Sequence, residues 1–155
     1  MTTAPIKVML LTATDLAVLE RVDPDVFDNP VQPKLASQYL ANPGNLIAVA
    51  IHEGVVVGMA SAIAYVHPDK PLQLFINEVG VAEKCRGQGL GKRLISALLE
   101  QGSILGCTEA WVATEANNHA ARALYNAARG TEEEDHVVIC KWKLPLGLGA
   151  SSRDA

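Results

Sequence analysis

A glycine-rich turn between two apolar stretches restricts the fold of this chain more than any other feature. The turn spans residues 86–91 and follows a strand-like run at 72–81. The stretch after the turn places apolar residues at the spacing of one buried helix face, namely Leu90, Leu94, Ala97 and Leu98. A strand, a turn and a helix in this order leave unpaired N–H groups and a positive dipole end at the helix start, where an anion is stabilised.

The composition of the turn suits a pyrophosphate. Gly87, Gly89 and Gly91 would let backbone N–H groups approach a ligand without a Cβ in the way. Positive charge is supplied by three neighbouring side chains, those of Arg86, Lys92 and Arg93. A tight turn that merely needs glycine is the plainer interpretation, but alternating glycines flanked by cations favour an anion site.

Two common phosphate-binding loops do not fit these residues. A Walker A loop needs glycine at the position of Arg86 and Ser or Thr at the position of Arg93. The dinucleotide-binding fingerprint needs the spacing G-x-G-x-x-G, whereas residues 87–91 give G-x-G-x-G.

The rest of the chain predicts a mixed α/β domain. Early strands are joined by hairpins, with a clear turn at Glu53-Gly54, and later strands are separated by helices. The sheet is therefore expected to be antiparallel first and partly parallel later. The predicted strands cover residues 6–11, 46–51, 55–66, 72–81, 109–114 and 136–144. Four helices are predicted. Thr12 or Thr14 caps the first, which buries Leu16, Leu19 and Val22, and Pro33 begins the second, which buries Leu35, Tyr39 and Leu40. The third helix covers residues 90–103, and Asn118 caps the fourth.

Length and charge narrow the class of protein. A chain of 155 residues fits one domain, expected over 1–145, and the Gly- and Ser-rich residues 146–155 are expected to fray. The net charge of −4, without a dense basic stripe, speaks against nucleic-acid binding. No apolar run is long enough to predict a membrane span, and no His spacing predicts a metal site. Three widely spaced cysteines predict no disulfide framework, so a reducing cytoplasm is the expected compartment.

Two motifs resemble those of the GNAT superfamily of N-acetyltransferases. The first is Arg86-x-x-Gly89-x-Gly91, which is similar to the superfamily's acetyl-coenzyme A motif. The second is Asn118-x-x-Ala121-x-x-Leu124-Tyr125, which is similar to its later helix motif. One departure is visible, because Gly130 and Thr131 stand after the helix where the superfamily usually has a Gly-Phe pair.

The resemblance implies a splayed sheet that binds acetyl-coenzyme A (acetyl-CoA) as the acetyl donor, without a metal. The pantetheine arm would lie where the strands ending near Val81 and Thr114 diverge. The donor-binding residues that the resemblance implies are Val79, Gly80, Val81, Arg86, Gly87, Gln88, Gly89, Leu90, Gly91, Lys92, Asn118 and Tyr125.

Two residues match the catalytic groups of the superfamily. Glu78 lies on the strand that often carries the general base, and Tyr125 matches the tyrosine that protonates the departing thiolate. The plainer interpretations are a solvated Glu78 and a core Tyr125. Glu115 is the second candidate for the base. A covalent role for Cys85 is conceivable beside Arg86, but no His is close in sequence.

The acceptor is expected to be a small-molecule amine. Residues 27–131 resemble the GNAT aminoglycoside 3-N-acetyltransferases, which implies a polycationic acceptor held by Asp25, Asp28, Glu78 and Glu115. Another small amine, a polyamine or a peptide N-terminus is the alternative acceptor. A sensor that binds coenzyme A without catalysis is a further alternative, although binding alone needs neither Glu78 nor Tyr125. The resemblance also implies that two copies can pair as a homodimer.

Overall fold

Five strands form one mixed sheet in the order β1-β2-β3-β4-β5. The computed structural model describes residues 4–134 and 136–145. The first four strands are antiparallel neighbours, and β5 runs parallel to β4, as the hairpins and helices of the sequence predict. The strands are β1 Lys7–Leu10, β2 Asn45–His52, β3 Val55–Tyr65, β4 Gln73–Val81 and β5 Glu109–Trp111.

Three α-helices accompany the sheet, and α2 forms most of the core. They are α1 Pro33–Ala41, α2 Leu90–Leu105 and α3 His119–Ala127. Helix α2 lies across the sheet, where Leu94 and Leu98 are fully buried with Leu74 of β4. Each such side chain contributes about 1.5–3 kcal/mol by leaving water. Small strand residues let the helix approach closely, and Gly58 and Gly102 leave no room for a Cβ beside Leu94 and Leu74.

Local backbone geometry explains the hairpin between β2 and β3. Glu53 and Gly54 have φ angles of 49° and 77°, the left-handed pair that a tight two-residue hairpin turn requires. Glycine tolerates this region without a Cβ penalty, so Gly54 confirms the predicted turn.

Several expected elements differ from the structure. The helix predicted after Thr12 is a 3₁₀ helix over Leu16–Glu20, and Asp15, not a threonine, precedes it. Leu35 was expected to be buried but is 54% exposed, because it lies on the outer face of α1. In α2 it is Ile95 that is buried, whereas Ala97 is only partly buried.

The last two predicted strands also need correction. Strand β5 ends at Trp111, three residues before the predicted end, because its ladder with β4 stops there. Residues 136–144 were expected to form a final strand, but they pair with no strand among the described residues. Their apolar alternation is present, but the described part of the chain offers it no ladder partner. The predicted tail at 146–155 lies outside the described residues.

Candidate functional site

The sheet opens between β4 and β5. Their parallel ladder ends at the pair Phe75 and Trp111, whereas β4 continues to Val81. The edge of β4 that faces β5 is therefore free over its last six residues, 76–81. Unpaired N–H and C=O groups on such an edge can bond an extended ligand. This is the splayed gap that the resemblance implied, and Val79, Gly80 and Val81 lie on its free edge.

The turn after β4 presents donors to an anion. No backbone or side-chain acceptor among the described residues receives the N–H groups of residues 87–92. Helix α2 begins at Leu90 after Gly89, which provides no side-chain cap. An uncapped helix start with several free N–H groups binds phosphate oxygens well. Exposed Gln88 and Lys92 lie at the same helix start.

The three glycines of the turn have two different roles. Gly87 and Gly89 have φ angles of 75°, and a Cβ on either would point into open space. Both positions need glycine for backbone conformation and leave room for a ligand. Gly91 instead lies in the first turn of α2, where a Cβ would meet Cδ1 and Cδ2 of Leu124 at 3.0 Å. Gly91 therefore lets α3 approach α2.

Arg86 and Cys85 also have structural roles in this turn. The Arg86 Nε donates to the carbonyl oxygen of Val81 over 3.0 Å, which ties the turn to the end of β4. The Cys85 thiol is buried with 6% exposure, so it is not presented to an acceptor as a nucleophile would be. Lys84, on the same short segment, forms a 3.0 Å ion pair with Asp23.

A β-bulge decides which way Glu78 points. Ser61 pairs with Glu78 and Ala62 pairs with Ile76, which leaves Asn77 without a partner on β3. The extra residue shifts the strand alternation by one position. Glu78 therefore lies on the face of Phe75 and Ser61, opposite the face that α2 covers. Simple alternation from buried Ile76 would have predicted the α2 face.

Glu78 is exposed, and Tyr39 of α1 lies close enough for the charge of Glu78 to act on its hydroxyl. The Tyr39 hydroxyl of α1 donates to the carbonyl oxygens of Leu46 at 2.5 Å and Ala62 at 3.3 Å. Burial raises the pKa of Tyr39 to about 12, and the nearby negative charge of Glu78 acts in the same direction. Tyr39 was expected only as a core residue, and its position on the bulge side became visible only from the structure.

Tyr125 lies on α3, which packs against the first turn of α2 through Leu124. It is half-buried on α3, and burial raises the pKa of its hydroxyl. A tyrosine hydroxyl is protonated at neutral pH even with its ordinary pKa of about 10, and the raised pKa makes this hydroxyl a weaker acid. The Asn118 Oδ1 accepts from the Ala121 N–H at 3.1 Å, which confirms the predicted helix cap.

An aromatic platform that sequence reasoning missed lies on the face of Glu78. It comprises Tyr65, Phe75 and Trp111, where the Phe75 and Trp111 rings have centroids 4.5 Å apart. The Trp111 Nε1 donates to the Tyr65 hydroxyl at 2.7 Å, and that hydroxyl donates to Gln73 at 3.0 Å. Trp111 is nevertheless 44% exposed. Alternation could have indicated the strand face, but three aromatic residues from three strands meet only through the sheet register.

The remaining carboxylates are distributed around this face. Exposed Glu109 pairs with Gln73, which places it on the face of the aromatic platform. The Asp25 Oδ2 accepts from the Glu83 N–H at 3.4 Å, so this residue lies against the donor turn. Asp28 is exposed in the loop before α1, and Glu115 is exposed in the connection between β5 and α3. Asp25 therefore lies beside the segment that precedes the donor turn, and Glu78 lies on the strand face of the aromatic platform.

The acidic stretch after α3 contributes one ion pair. The Arg122 guanidinium donates two bonds to Glu132, of 2.8 and 2.9 Å. The Arg122 partner holds the pKa of the Glu132 carboxyl below its usual value. This bidentate pair fixes where the chain leaves α3.

The described residues contain neither a cluster of metal-ligating side chains nor a membrane-spanning helix. Within 4–134 and 136–145, no group of three or more His, Cys, Asp or Glu side chains is arranged to hold a metal ion. No helix in these ranges has the length and apolar character that crossing a membrane requires.

The free β4 edge and the uncapped start of α2 together offer an extended ligand backbone partners at one end and an anion site at the other. Residues 14–130 match the Acetyltransferase (GNAT) family over three quarters of the chain. The chain belongs to this family and is an acetyl-CoA-dependent N-acetyltransferase.

Curated relatives of the chain are named for different acceptors. The chain is 28% identical over 129 residues to the N-alpha-acetyltransferase RimI of Mycobacterium tuberculosis, covering 81% of this chain and 78% of the relative. It is 38% identical over 77 residues to the L-2,4-diaminobutyric acid acetyltransferase of Wolinella succinogenes, covering 48% of this chain and 41% of that protein.

Similar solved structures share the fold. An aminoglycoside acetyltransferase, meta-AAC0020 from an uncultured soil metagenomic sample, in complex with sisomicin, has a TM-score of 0.74 and 22% identity. That likeness covers 90% of this chain and 96% of the other. AAC(6')-Iy in complex with the bisubstrate analog CoA-S-monomethyl-acetylneamine has a TM-score of 0.73 and 21% identity, over 90% and 99% of the two chains.

Proposed function

We propose that this enzyme acetylates a primary amine of an aminoglycoside by direct transfer from acetyl-CoA. The observation that carries the proposal is the open face of β4 and β5, where Glu78 and Glu109 flank the aromatic platform. This face lies on the side of the sheet away from α2, so an acceptor can reach it without displacing the core.

The chemistry needs one base and one acid. An alkylammonium must lose a proton before its nitrogen attacks the thioester carbon, and Glu78 accepts that proton directly or through water. The new C–N bond forms as the C–S bond breaks. The thiolate of coenzyme A takes a proton from the Tyr125 hydroxyl, and the acylated nitrogen, which still carries one proton too many, returns a proton to the Tyr125 oxygen through water. Glu78 releases the proton that it accepted to solvent. The products are an amide and free coenzyme A.

Charge and ring faces on the open side suit a polycationic sugar. Carboxylates form charge-assisted hydrogen bonds with ammonium groups, and an aromatic face attracts a cation within about 6 Å. Glu78, Glu109 and Trp111 supply both kinds of contact on one face. The similar structures bound to sisomicin and to an acetylneamine analog support this acceptor class.

A peptide N-terminus is the second candidate acceptor. It is favoured by the identity with RimI, which extends over 81% of this chain. A peptide carries one reactive ammonium, so it needs the base but not a spread of carboxylates. The two candidates therefore differ in their dependence on Glu109.

An acceptor panel tests the proposal. Purified enzyme is incubated with acetyl-CoA and gentamicin, kanamycin, spermidine or an alanine-initiated peptide, and coenzyme A release and product mass are measured. Addition of one acetyl group to an aminoglycoside, with a kcat/KM well above that of the peptide, is expected.

The product position is determined by NMR, with the central deoxystreptamine ring as the expected site. A 6′ product would retain the acceptor class and correct the position. A strong preference for the peptide would reject the aminoglycoside in favour of the second candidate. The Glu78→Gln variant is the control for enzymatic transfer, since spontaneous acetylation does not depend on that residue.

A further inference from the structure

A series of hydrogen bonds fixes the indole of Trp111 from one side. The Trp111 Nε1–H donates to the Tyr65 hydroxyl over 2.7 Å, and that hydroxyl donates to the Gln73 Oε1 over 3.0 Å. An indole N–H can only donate and an amide oxygen can only accept, so the direction of both bonds is determined. The His67 Nε2 lies 3.3 Å from the same oxygen and therefore donates to it as well. We call the bonds that join Trp111, Tyr65 and Gln73 the indole anchor.

The anchored ring is an exposed surface and not a core side chain. Trp111 is 44% exposed, although its N–H is bonded and its ring packs beside that of Phe75 at an interplanar angle of 41°. An exposed side chain with free rotamers loses conformational entropy when a ligand orders it. Because the indole anchor has already ordered this ring, a ligand that stacks on Trp111 meets a preorganised face.

The indole lies at a defined separation from Glu78. Trp111 pairs with Phe75 across the β4–β5 ladder, and Glu78 lies three residues farther along β4 on the same face. At about 3.3 Å per residue, the two positions are about 10 Å apart along the strand. A molecule whose reacting amine lies at Glu78 therefore reaches Trp111 only if a second ring is linked to the ring that carries the amine.

We propose that Trp111 forms a ring-stacking subsite that selects acceptors with at least two linked rings, and that Tyr65 is the positioning residue that holds it. This inference rests on the proposed acetylation of an aminoglycoside, and it adds which part of that acceptor is recognised. An amine of one ring lies at Glu78 while the neighbouring sugar lies over the indole, whose face attracts the ammonium groups of that sugar. A single-ring amine reaches Glu78 without touching Trp111.

A truncation series of acceptors tests the subsite. KM and kcat are measured for kanamycin, in which sugars flank the central ring, and for free 2-deoxystreptamine, which is that central ring alone. Tyr65→Phe is expected to raise the KM for kanamycin about fivefold, the effect of one lost hydrogen bond, with kcat unchanged. Trp111→Ala should raise that KM about tenfold. Neither variant should change the KM for 2-deoxystreptamine.

Two outcomes of this series would overturn the inference. One is an equal rise in KM for both acceptors, because a general loss of structure, and not a separate subsite, would produce it. The other is an unchanged KM for kanamycin in both variants. In either case the wild-type enzyme still acetylates the aminoglycoside, so the proposed function is retained.

A double-variant cycle tests whether Tyr65 acts through the indole anchor. Gln73→Leu removes the acceptor of the Tyr65 proton, so it should also raise the KM for kanamycin and leave kcat unchanged. The double variant Tyr65→Phe/Gln73→Leu should raise this KM no more than Tyr65→Phe alone, because both substitutions break the same series of bonds. Additive effects of the two substitutions would contradict the positioning role of Tyr65.

Tryptophan fluorescence reports on the ring without turnover. Trp142→Phe leaves Trp111 as the single tryptophan, since the chain contains two. Kanamycin added without acetyl-CoA should change this emission in a saturable way, and Tyr65→Phe in the same background should weaken the apparent affinity about fivefold. Emission that does not respond to kanamycin, although the enzyme acetylates it, would overturn the subsite alone. Failure to acetylate any aminoglycoside would reject both the subsite and the proposed function.

Discussion

Gly80 lies directly against the carbonyl oxygen of Val26, and a Cβ at Gly80 would clash with that oxygen. The contact holds the loop before α1 on the β4 face that also carries Glu78. Buried Val26 and the ion pair of Asp23 with Lys84 fix the same loop from two sides. The loop therefore connects the β4 face that carries Glu78 to the segment that precedes the glycine-rich turn.

Gly80→Ala is therefore expected to displace this loop. Because the obstacle is backbone, the free energy of unfolding should fall by about 1–3 kcal/mol, as for other overpacked sites. Acetyl transfer should fall with it. Gly106→Ala is the control, since its strain comes from a φ of 96° and a Cβ there meets nothing within 4 Å. The control should lose only about 1 kcal/mol and keep its activity. Equal effects on kcat in both variants would contradict the role of the loop.

Substitutions at Glu78 and at Glu109 should distinguish the proposed general base from a residue that only binds the acceptor. Glu78→Gln is expected to lower kcat by about 10²-fold while acetyl-CoA binding is retained, because it removes a proton acceptor. Glu109→Gln lies on the same face but away from the free β4 edge, so it should raise the acceptor KM more than it lowers kcat. Added salt should raise the wild-type KM for a polycation, since exposed charge pairs are screened over about 10 Å at 0.1 M. An unchanged kcat in Glu78→Gln would contradict the role of Glu78 and would indicate Glu115 or water as the base.

The variants Gly89→Val and Gly91→Val should each impair the enzyme, but for different reasons. Gly89→Val forces a side chain into a φ of 75° at the open helix start, so the thermal shift caused by acetyl-CoA should disappear. Gly91→Val should press on Leu124 and displace the helix that carries Tyr125, lowering kcat by about tenfold or more. Leu124→Ala should rescue the second variant and not the first. Rescue of both, or of neither, would show that the two glycines act alike.

The raised pKa of Tyr39 predicts that the free energy of unfolding falls at alkaline pH. Its pKa is raised from 10.0 to about 12 in the folded chain. The neutral hydroxyl is thus favoured by the fold, so its contribution is complete below pH 10 and is lost as the pH rises towards 12. Denaturant unfolding between pH 8 and 12 should show this decline in the wild type and a shallower one in Tyr39→Phe. Parallel curves for the two proteins would contradict the assignment.

The sequence predicted local features better than long-range ones. The hairpin at Gly54, the cap at Asn118 and the anion-binding turn depend on neighbouring residues, so their chemistry is visible along the chain. The direction of Glu78 depends on one unpaired residue in a ladder, which alternation cannot reveal. The aromatic platform likewise needs the register of three strands. Residues 136–144 have the pattern of a strand, but a strand also needs a hydrogen-bonding partner, which the pattern cannot show.

The bulge at Asn77 makes the residue count of the β3–β4 pair a determinant of where Glu78 lies. Phe75 and Glu78 are three positions apart and yet share a face, which a regular strand forbids. Inserting one residue between Ser61 and Ala62, opposite Asn77, would restore regular alternation and place the carboxylate on the face of Ile76, towards α2. A chain with every candidate reactive side chain still present would then have lost the proposed base from the acceptor side. In this pair of strands a change in residue count is as consequential as a change in residue type.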